Sequence, residues 1–122
     1  MYSPAAMDHF LQPRHCGVLT GADIAVGTAT NADCGDTARV TLRVVDGCVA
    51  HIAFSSQGCA GAIAACSATC AWLHGRPVGA ALGLTGQTIE ELLAPWPAAK
   101  RGCTQMAVAA AIAALNAAAS GR

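Results

Sequence analysis

The stretch "RVTLRVVDGCVAHIAF", residues 39 to 54, constrains the fold more than any other part of the chain. Val40, Leu42 and Val44 alternate with Arg39, Thr41 and Arg43, the period of a strand with one buried face. Asp46-Gly47 then marks a tight turn, and a second apolar run returns, so the chain doubles back as an antiparallel hairpin. A two-residue turn pairs Val44 with Val49 and Leu42 with His51, which sets a histidine on the core face. A three-residue turn, with Gly47 left-handed and a bulge, pairs Val44 with Cys48, Leu42 with Ala50 and Val40 with Ile52, which keeps that face apolar. The second register is therefore expected, with Cys48 inward, His51 exposed and neither of them a ligand.

The flanking segments supply the other elements. Ser3 and Pro4 read as N-cap and first turn of a short helix to about Gln12, stopped before Pro13. "IAVGTATNA" reads as an irregular strand, at a sheet edge because of its glycine. After the hairpin the pattern becomes helical, from about Ala60 to His74, closed by Gly75 and Pro77. Thr88 and Glu91 form a T-x-x-E capping box for a short helix through Leu93. A proline-bearing loop, "APWPAAKRG", leads into a last alanine-rich helix starting at about Cys103. Helix, strands and then helices predict an α+β fold, a three-stranded antiparallel sheet with helices on one face, as one domain over residues 1–122.

Composition narrows the class of function. Lysine plus arginine and aspartate plus glutamate both number 7, so no basic excess marks a nucleic-acid or membrane-surface binder. The longest apolar run, Met106 to Leu115, is too short to span a bilayer. The N-terminus has no basic start followed by an apolar stretch, so a cytoplasmic protein is expected. Seven cysteines in a reducing compartment point to metal or redox chemistry rather than to disulfides, and the odd number argues the same way.

Three of the seven stand at junctions. Cys34 precedes the hairpin, Cys59 follows Gly58 at a helix start, and Cys103 follows Gly102 at another. The free N–H groups and dipole of a helix N-terminus favour thiolate over thiol. Lys100 and Arg101 add positive charge beside Cys103. Spacings of 25 and then 44 residues match no compact zinc motif, so convergence on one site and separate burial as small apolar residues both stand at this point. Cys66 and Cys70, four apart on one helical face, read as core. Cys16, beside His15 in a loop, matches no spacing rule.

The segments "DHFLQPRHCG" (Asp8, His9, Phe10, Pro13, Arg14, Gly17), "CGD" (Cys34, Gly35, Asp36), "GCAGAIAACS" (Gly58 to Ser67) and "KRGC", with Tyr2, carry a resemblance. In this order they resemble the IscU/NifU/SufU family of iron–sulfur cluster assembly scaffolds over nearly the whole chain. The resemblance implies a site where a 2Fe–2S cluster is built from iron and from persulfide sulfur delivered by a cysteine desulfurase, then passed to acceptor or carrier proteins. It implies Cys34, Cys59 and Cys103 as thiolate ligands and sulfur acceptors, and Asp36 as a weak or exchangeable ligand. Gly35, Gly58, Lys100 and Arg101 are the supporting residues. The protein would be a carrier and not an enzyme.

Two positions depart from IscU. Gly102 stands where IscU-type members usually have histidine, which leaves three thiolates and Asp36 for four positions unless His15, His74 or Cys66 lies close. Trp96 to Lys100 stands where IscU carries Leu-Pro-Pro-Val-Lys, with only Pro97 and Lys100 matching, which argues against the specialised Hsp70-type chaperone as a partner. Lack of the histidine is shared with SufU, whose members hold zinc and accept desulfurase sulfur, but the SufU insertion between the second and third cysteines has no room here. The expected functions are therefore a 2Fe–2S scaffold and, as the alternative, a zinc-bound sulfur acceptor with sulfurtransferase activity.

Overall fold

At Ser3 one side chain both starts a helix and ties it to the rest of the molecule. In the computed structural model, which describes residues 2–120, the Ser3 hydroxyl accepts the Ala6 amide at 3.0 Å and donates to the Leu93 carbonyl at 2.7 Å. Pro4 opens helix α1 (Pro4–Leu11), where its missing N–H leaves no intrahelical bond unmade.

The hairpin forms from β2 (Thr37–Val45) and β3 (Cys48–Gln57), with a turn that differs from the expected one. Asp46 (φ 52°) and Gly47 (φ 77°) are both left-handed, so the turn has two residues and pairs Val45 with Cys48 and Val44 with Val49. The core face is kept apolar further along the strand. Between Val44 and Arg43 the register slips by one residue at Ala50, so that Arg43 faces His51, Leu42 faces Ile52 and Val40 faces Phe54. Val49, Ile52 and Phe54 are buried. Cys48 is only half-buried at the strand start, a correction to its expected inward place, whereas His51 is exposed as expected.

β1 (Ala25–Thr30) pairs antiparallel with β2 and completes the sheet in the order β1-β2-β3. The structure is thus the α+β arrangement expected. Helices α2 (Ala60–Leu73) and α5 (Arg101–Ser120) pack against one another and on the face that carries Val40 and Leu42. Alanine dominates both helices and lets their backbones come close. At Gly27 the approach is extreme: a Cβ there would run into the backbone of Ala110 and Ala114, so the β1 glycine is the surface over which α5 crosses. Within Ala98–Ala119 an 18-residue window has a mean hydropathy of 1.4, long and apolar enough in itself to cross a membrane, but half of that window is buried within the protein.

Two shorter helices bridge α2 and α5. α3 (Val78–Ala81) is a single turn. The cap of α4 (Gly86–Leu92) comes three residues earlier than expected, because Thr85 rather than Thr88 caps it, accepting the Thr88 amide at 3.3 Å. A 3₁₀ turn, Ala98–Lys100, runs directly into α5, which therefore starts at Arg101 and not at Cys103.

The outer edge of β3 is closed by the chain between α1 and β1. Phe54 exchanges hydrogen bonds with that segment, donating to the His15 carbonyl and accepting from the Gly17 amide, both at 2.8 Å. The His74 ring bonds the Ala50 carbonyl at 3.2 Å. The imidazoles of His15 and His74 pack 4.9 Å apart between ring centres. Further on, the Leu19 amide donates to the Thr41 hydroxyl at 3.0 Å, which covers part of the sheet face opposite the helices.

Candidate metal centre

Three elements end at one place. The loop from β1 to β2 brings Asp36, the junction of β3 and α2 brings Cys59, and the first turn of α5 brings Cys103. One ligand atom from each, the carboxylate oxygen and the two sulfurs, lies within 4.8 Å of the others, the one such cluster of His, Cys, Asp or Glu among the described residues. The Cys59 and Cys103 sulfurs are 3.8 Å apart.

Local chemistry explains each position. Cys59 is the N-cap of α2, its carbonyl accepting the Ala62 and Ile63 amides. Its own amide donates to the Asp36 carboxylate at 3.3 Å, so the aspartate is fastened to the helix start. Gly58 is needed for this contact, because a Cβ there would stand 2.7 Å from the Asp36 carboxyl carbon. Gly35, at φ +75°, makes the left-handed bend that separates Cys34 from Asp36.

Electrostatics divides the two sulfurs. Burial opposes ionisation of Cys59, but the Ala62 and Gly61 amides, the Cys103 thiol and the Lys100 charge outweigh it and hold Cys59 below the usual thiol range. Lys100 Nζ lies 3.5 Å from the Cys59 sulfur. Cys103 is pushed up to about 12, first by burial and then by the charge on Cys59. Cys59 is thus the more readily ionised of the pair, and Cys103 the one that keeps its proton. The Cys59 amide, above all, holds the Asp36 carboxyl below the usual carboxylate range against partial burial, helped by the Cys34 and Cys59 thiols and by Lys100.

Cys34 stands apart from the triangle. It is exposed on its loop, with its thiol beside the Asp36 carboxylate, and is not within 4.8 Å of all three other ligand atoms. The Arg101 guanidinium is 3.6 Å from Glu90, whereas the Lys100 ammonium is turned to the Cys59 sulfur. His74 caps the C-terminal end of α2 while Cys59 caps the N-terminal end, and His15 packs on His74, so neither histidine replaces the one absent at position 102. Cys66 and Cys70 are buried inside α2, their thiols driven up by burial, Cys66 to about 12, which leaves them inert. Cys16 is exposed beside Phe54 and remote from the triangle's ligand set.

Several residues at the site carry no signal that the spacing argument uses. Gly61 leaves room for the Tyr2 hydroxyl, which would be 2.8 Å from a Cβ at that position, while both sulfurs would be 3.5 Å from it. Tyr2 thereby lies over the cysteine pair and packs on Trp96, 5.6 Å between ring centres. Trp96 in turn donates to the Lys100 carbonyl at 2.9 Å and fixes the turn that aims the lysine. Asn31 lies against Gly102, a contact between residues 71 positions apart that no local pattern encodes.

Comparison with known proteins agrees with this geometry. The model of the NifU-like N-terminal domain matches residues 1–120. The iron–sulfur cluster assembly scaffold protein IscU 1 of Archaeoglobus fulgidus is 36% identical over 107 residues, covering 88% of this chain and 69% of that protein. The nitrogen fixation protein NifU of Cereibacter sphaeroides is 41% identical over 96 residues, 79% of this chain and 39% of that one. Among solved structures, a SUF-system scaffold (FiSufU) from Fervidobacterium islandicum has the same fold, with a TM-score of 0.75 at 19% identity, over 93% of this chain and 96% of that one. Fold and sequence agree, and the chain belongs to the family of the NifU-like N-terminal domain, which it shares with the IscU iron–sulfur cluster assembly scaffolds.

Proposed function

We infer that this chain collects iron and sulfur into a 2Fe–2S cluster, held by Cys34, Cys59, Cys103 and Asp36, and hands it to acceptor or carrier proteins. One observation carries the reading: two sulfurs and a carboxylate oxygen meet within 4.8 Å at three element ends, with a third, exposed thiol beside them. Thiolates suit a soft iron–sulfur centre, and a carboxylate oxygen is its poorest partner in the set. Asp36 is then the ligand that lets go when the cluster leaves.

Sulfur arrives as the persulfide of a cysteine desulfurase. A thiolate of this chain attacks the terminal sulfur, forming a new S–S bond while the desulfurase S–S bond breaks and its cysteine departs as thiolate. That step is a transfer without net oxidation; making sulfide from the transferred sulfur takes two electrons from an external reductant. Cys59 is the readiest nucleophile of the facing pair, and Cys34 is the exposed sulfur of the three. The chain acts as a carrier.

A second reading, zinc-bound sulfur acceptor, is favoured by Gly102, which offers no donor and leaves three thiolates and a carboxylate, a set that closes as a tetrahedron around zinc. Anaerobic incubation with iron, cysteine and a desulfurase separates the two. A 2Fe–2S absorption spectrum supports the scaffold. Zinc retained through the same treatment, with faster desulfurase turnover and no cluster, supports the sulfur acceptor and overturns the scaffold.

A further inference from the structure

Asn31 follows β1 and opens the loop that carries Cys34 and Asp36. Its backbone ties both ends of that loop together. The amide donates to the Asp36 carbonyl at 2.8 Å, while the carbonyl accepts from Gly35 at 2.7 Å and from Cys34 at 3.3 Å. Its side-chain oxygen accepts the Asp33 amide at 3.1 Å, an Asx turn inside the same loop. Residues 31–36 are thus a closed turn with one residue as its clasp.

The carboxamide of the same residue reaches α5. A methyl group on Gly102 would lie 2.5 Å from Asn31 Nδ2, 3.1 Å from Cγ and 3.2 Å from Oδ1, so the whole group rests on the bare Cα of Gly102. Gly102 has no positive φ, and glycine is therefore required there for space and not for backbone conformation. Its neighbour in the chain is Cys103. A groove of about 270 Å³ lined by Asn31, Asp33, Gly102, Gln105 and Met106 flanks the contact.

We propose that Asn31 is a positioning residue that keys the Cys34–Asp36 loop into the notch at Gly102 and so sets the distance at which Cys34 meets the Cys59–Cys103 pair. A larger side chain at position 102, an imidazole included, expels the carboxamide and frees the loop instead of adding a ligand. The inference rests on the reading of Cys34 as a member of the metal site.

A double-substitution cycle on the metal-free protein tests the key. Alanine is the better helix former, so Gly102→Ala should raise the melting temperature unless it strikes a neighbour. It is expected to lower the melting temperature of the natural chain and to raise it in Asn31→Ala, a reversal of sign that only removal of the clash produces. In Asn31→Ala, amide exchange at Cys34 and Gly35 should quicken about fivefold, the loss of one modest hydrogen-bond energy, with the α2 amides unchanged. Equal effects of Gly102→Ala in both backgrounds, or exchange that quickens throughout the molecule, overturns the proposal. Zinc affinity, from competition with a chromophoric chelator, then separates the proposal from the reading beneath it. Asn31→Ala and Gly102→His should both weaken zinc binding as Cys34→Ser does, with no zinc-induced shift of the introduced imidazole's ¹⁵N resonances. If Cys34→Ser weakens binding and Asn31→Ala does not, the positioning role is overturned. If Cys34→Ser leaves binding unchanged, the place of Cys34 in the site falls first and takes the proposal with it.

Discussion

The sulfurs of Cys59 and Cys103 face each other at 3.8 Å, and their surroundings favour ionisation at Cys59 and keep the proton on Cys103. Burial and the neighbouring thiolate push Cys103 up to about 12, so the proton is present throughout the neutral range. A divalent metal that binds both sulfurs must expel it. Zinc affinity of the metal-free chain should therefore rise at least about tenfold per pH unit between about pH 6 and 8, one decade for each thiol proton released. Competition titrations at several pH values measure the slope, and a flat profile would exclude Cys103 as a ligand.

Lys100 is expected to set the reactivity of Cys59. Its ammonium, 3.5 Å from the sulfur, favours the thiolate, so Lys100→Met should move the pH midpoint of Cys59 alkylation upward. Arg101→Met should leave the midpoint in place, because that guanidinium faces Glu90. Peptide mass spectrometry after timed iodoacetamide treatment reads both; equal shifts would mean that net charge, and not the lysine contact, acts on Cys59.

Asp36→Ala should lengthen the lifetime of a reconstituted cluster severalfold, measured as the decay of its absorption in the presence of an apo-acceptor. The same substitution tests a pH effect. The Asp36 carboxyl is held below its ordinary range, chiefly by the Cys59 amide, so its support of the α2 start is present above its unfolded-state pKa and lost as pH falls through the folded value. Acid unfolding of Asp36→Ala should lack that part of the natural chain's decline. An unchanged acid limb would mean that the amide contact contributes nothing to stability.

Gly27→Ala should destabilise the fold by about 3 kcal/mol or more, since the new methyl meets helix backbone that has no room to yield. Gly79→Ala, with nothing within 4 Å of the new methyl, is the matched control and should be close to neutral. Urea unfolding of the two variants checks the contrast, and similar midpoints would show that α5 can shift away from β1.

Much of this was legible in the sequence because the signals were local. Ser3-Pro4 names a helix start, Asp46-Gly47 names a turn, and cysteines at loop–helix junctions name places where thiolates are favoured. What escaped depends on contacts between distant segments or on small irregularities. Alternation in residues 39–54 demands an apolar face but does not say whether the turn or the strand absorbs the extra residue; here the strand does, at Ala50. Lys100 and Arg101 are adjacent in sequence, yet Lys100 closes a 3₁₀ turn and Arg101 opens a helix, and their charges meet different partners, the Cys59 sulfur and the Glu90 carboxylate. Gly27 and Gly102 read as ordinary loop or edge glycines until the atoms above them are known, helix backbone in one case and the Asn31 carboxamide in the other.

The closed edge of β3 has a consequence for how the molecule meets others. An open outer strand invites a second chain to extend the sheet, the usual beginning of aggregation. On this side backbone groups of Ala50 and Phe54 are already taken by the His74 imidazole and a short run of the chain's own backbone. A visiting protein finds no ladder to continue there. It must instead be recognised by side chains, which are far easier for a sequence to make selective than the uniform hydrogen bonds of a bare strand.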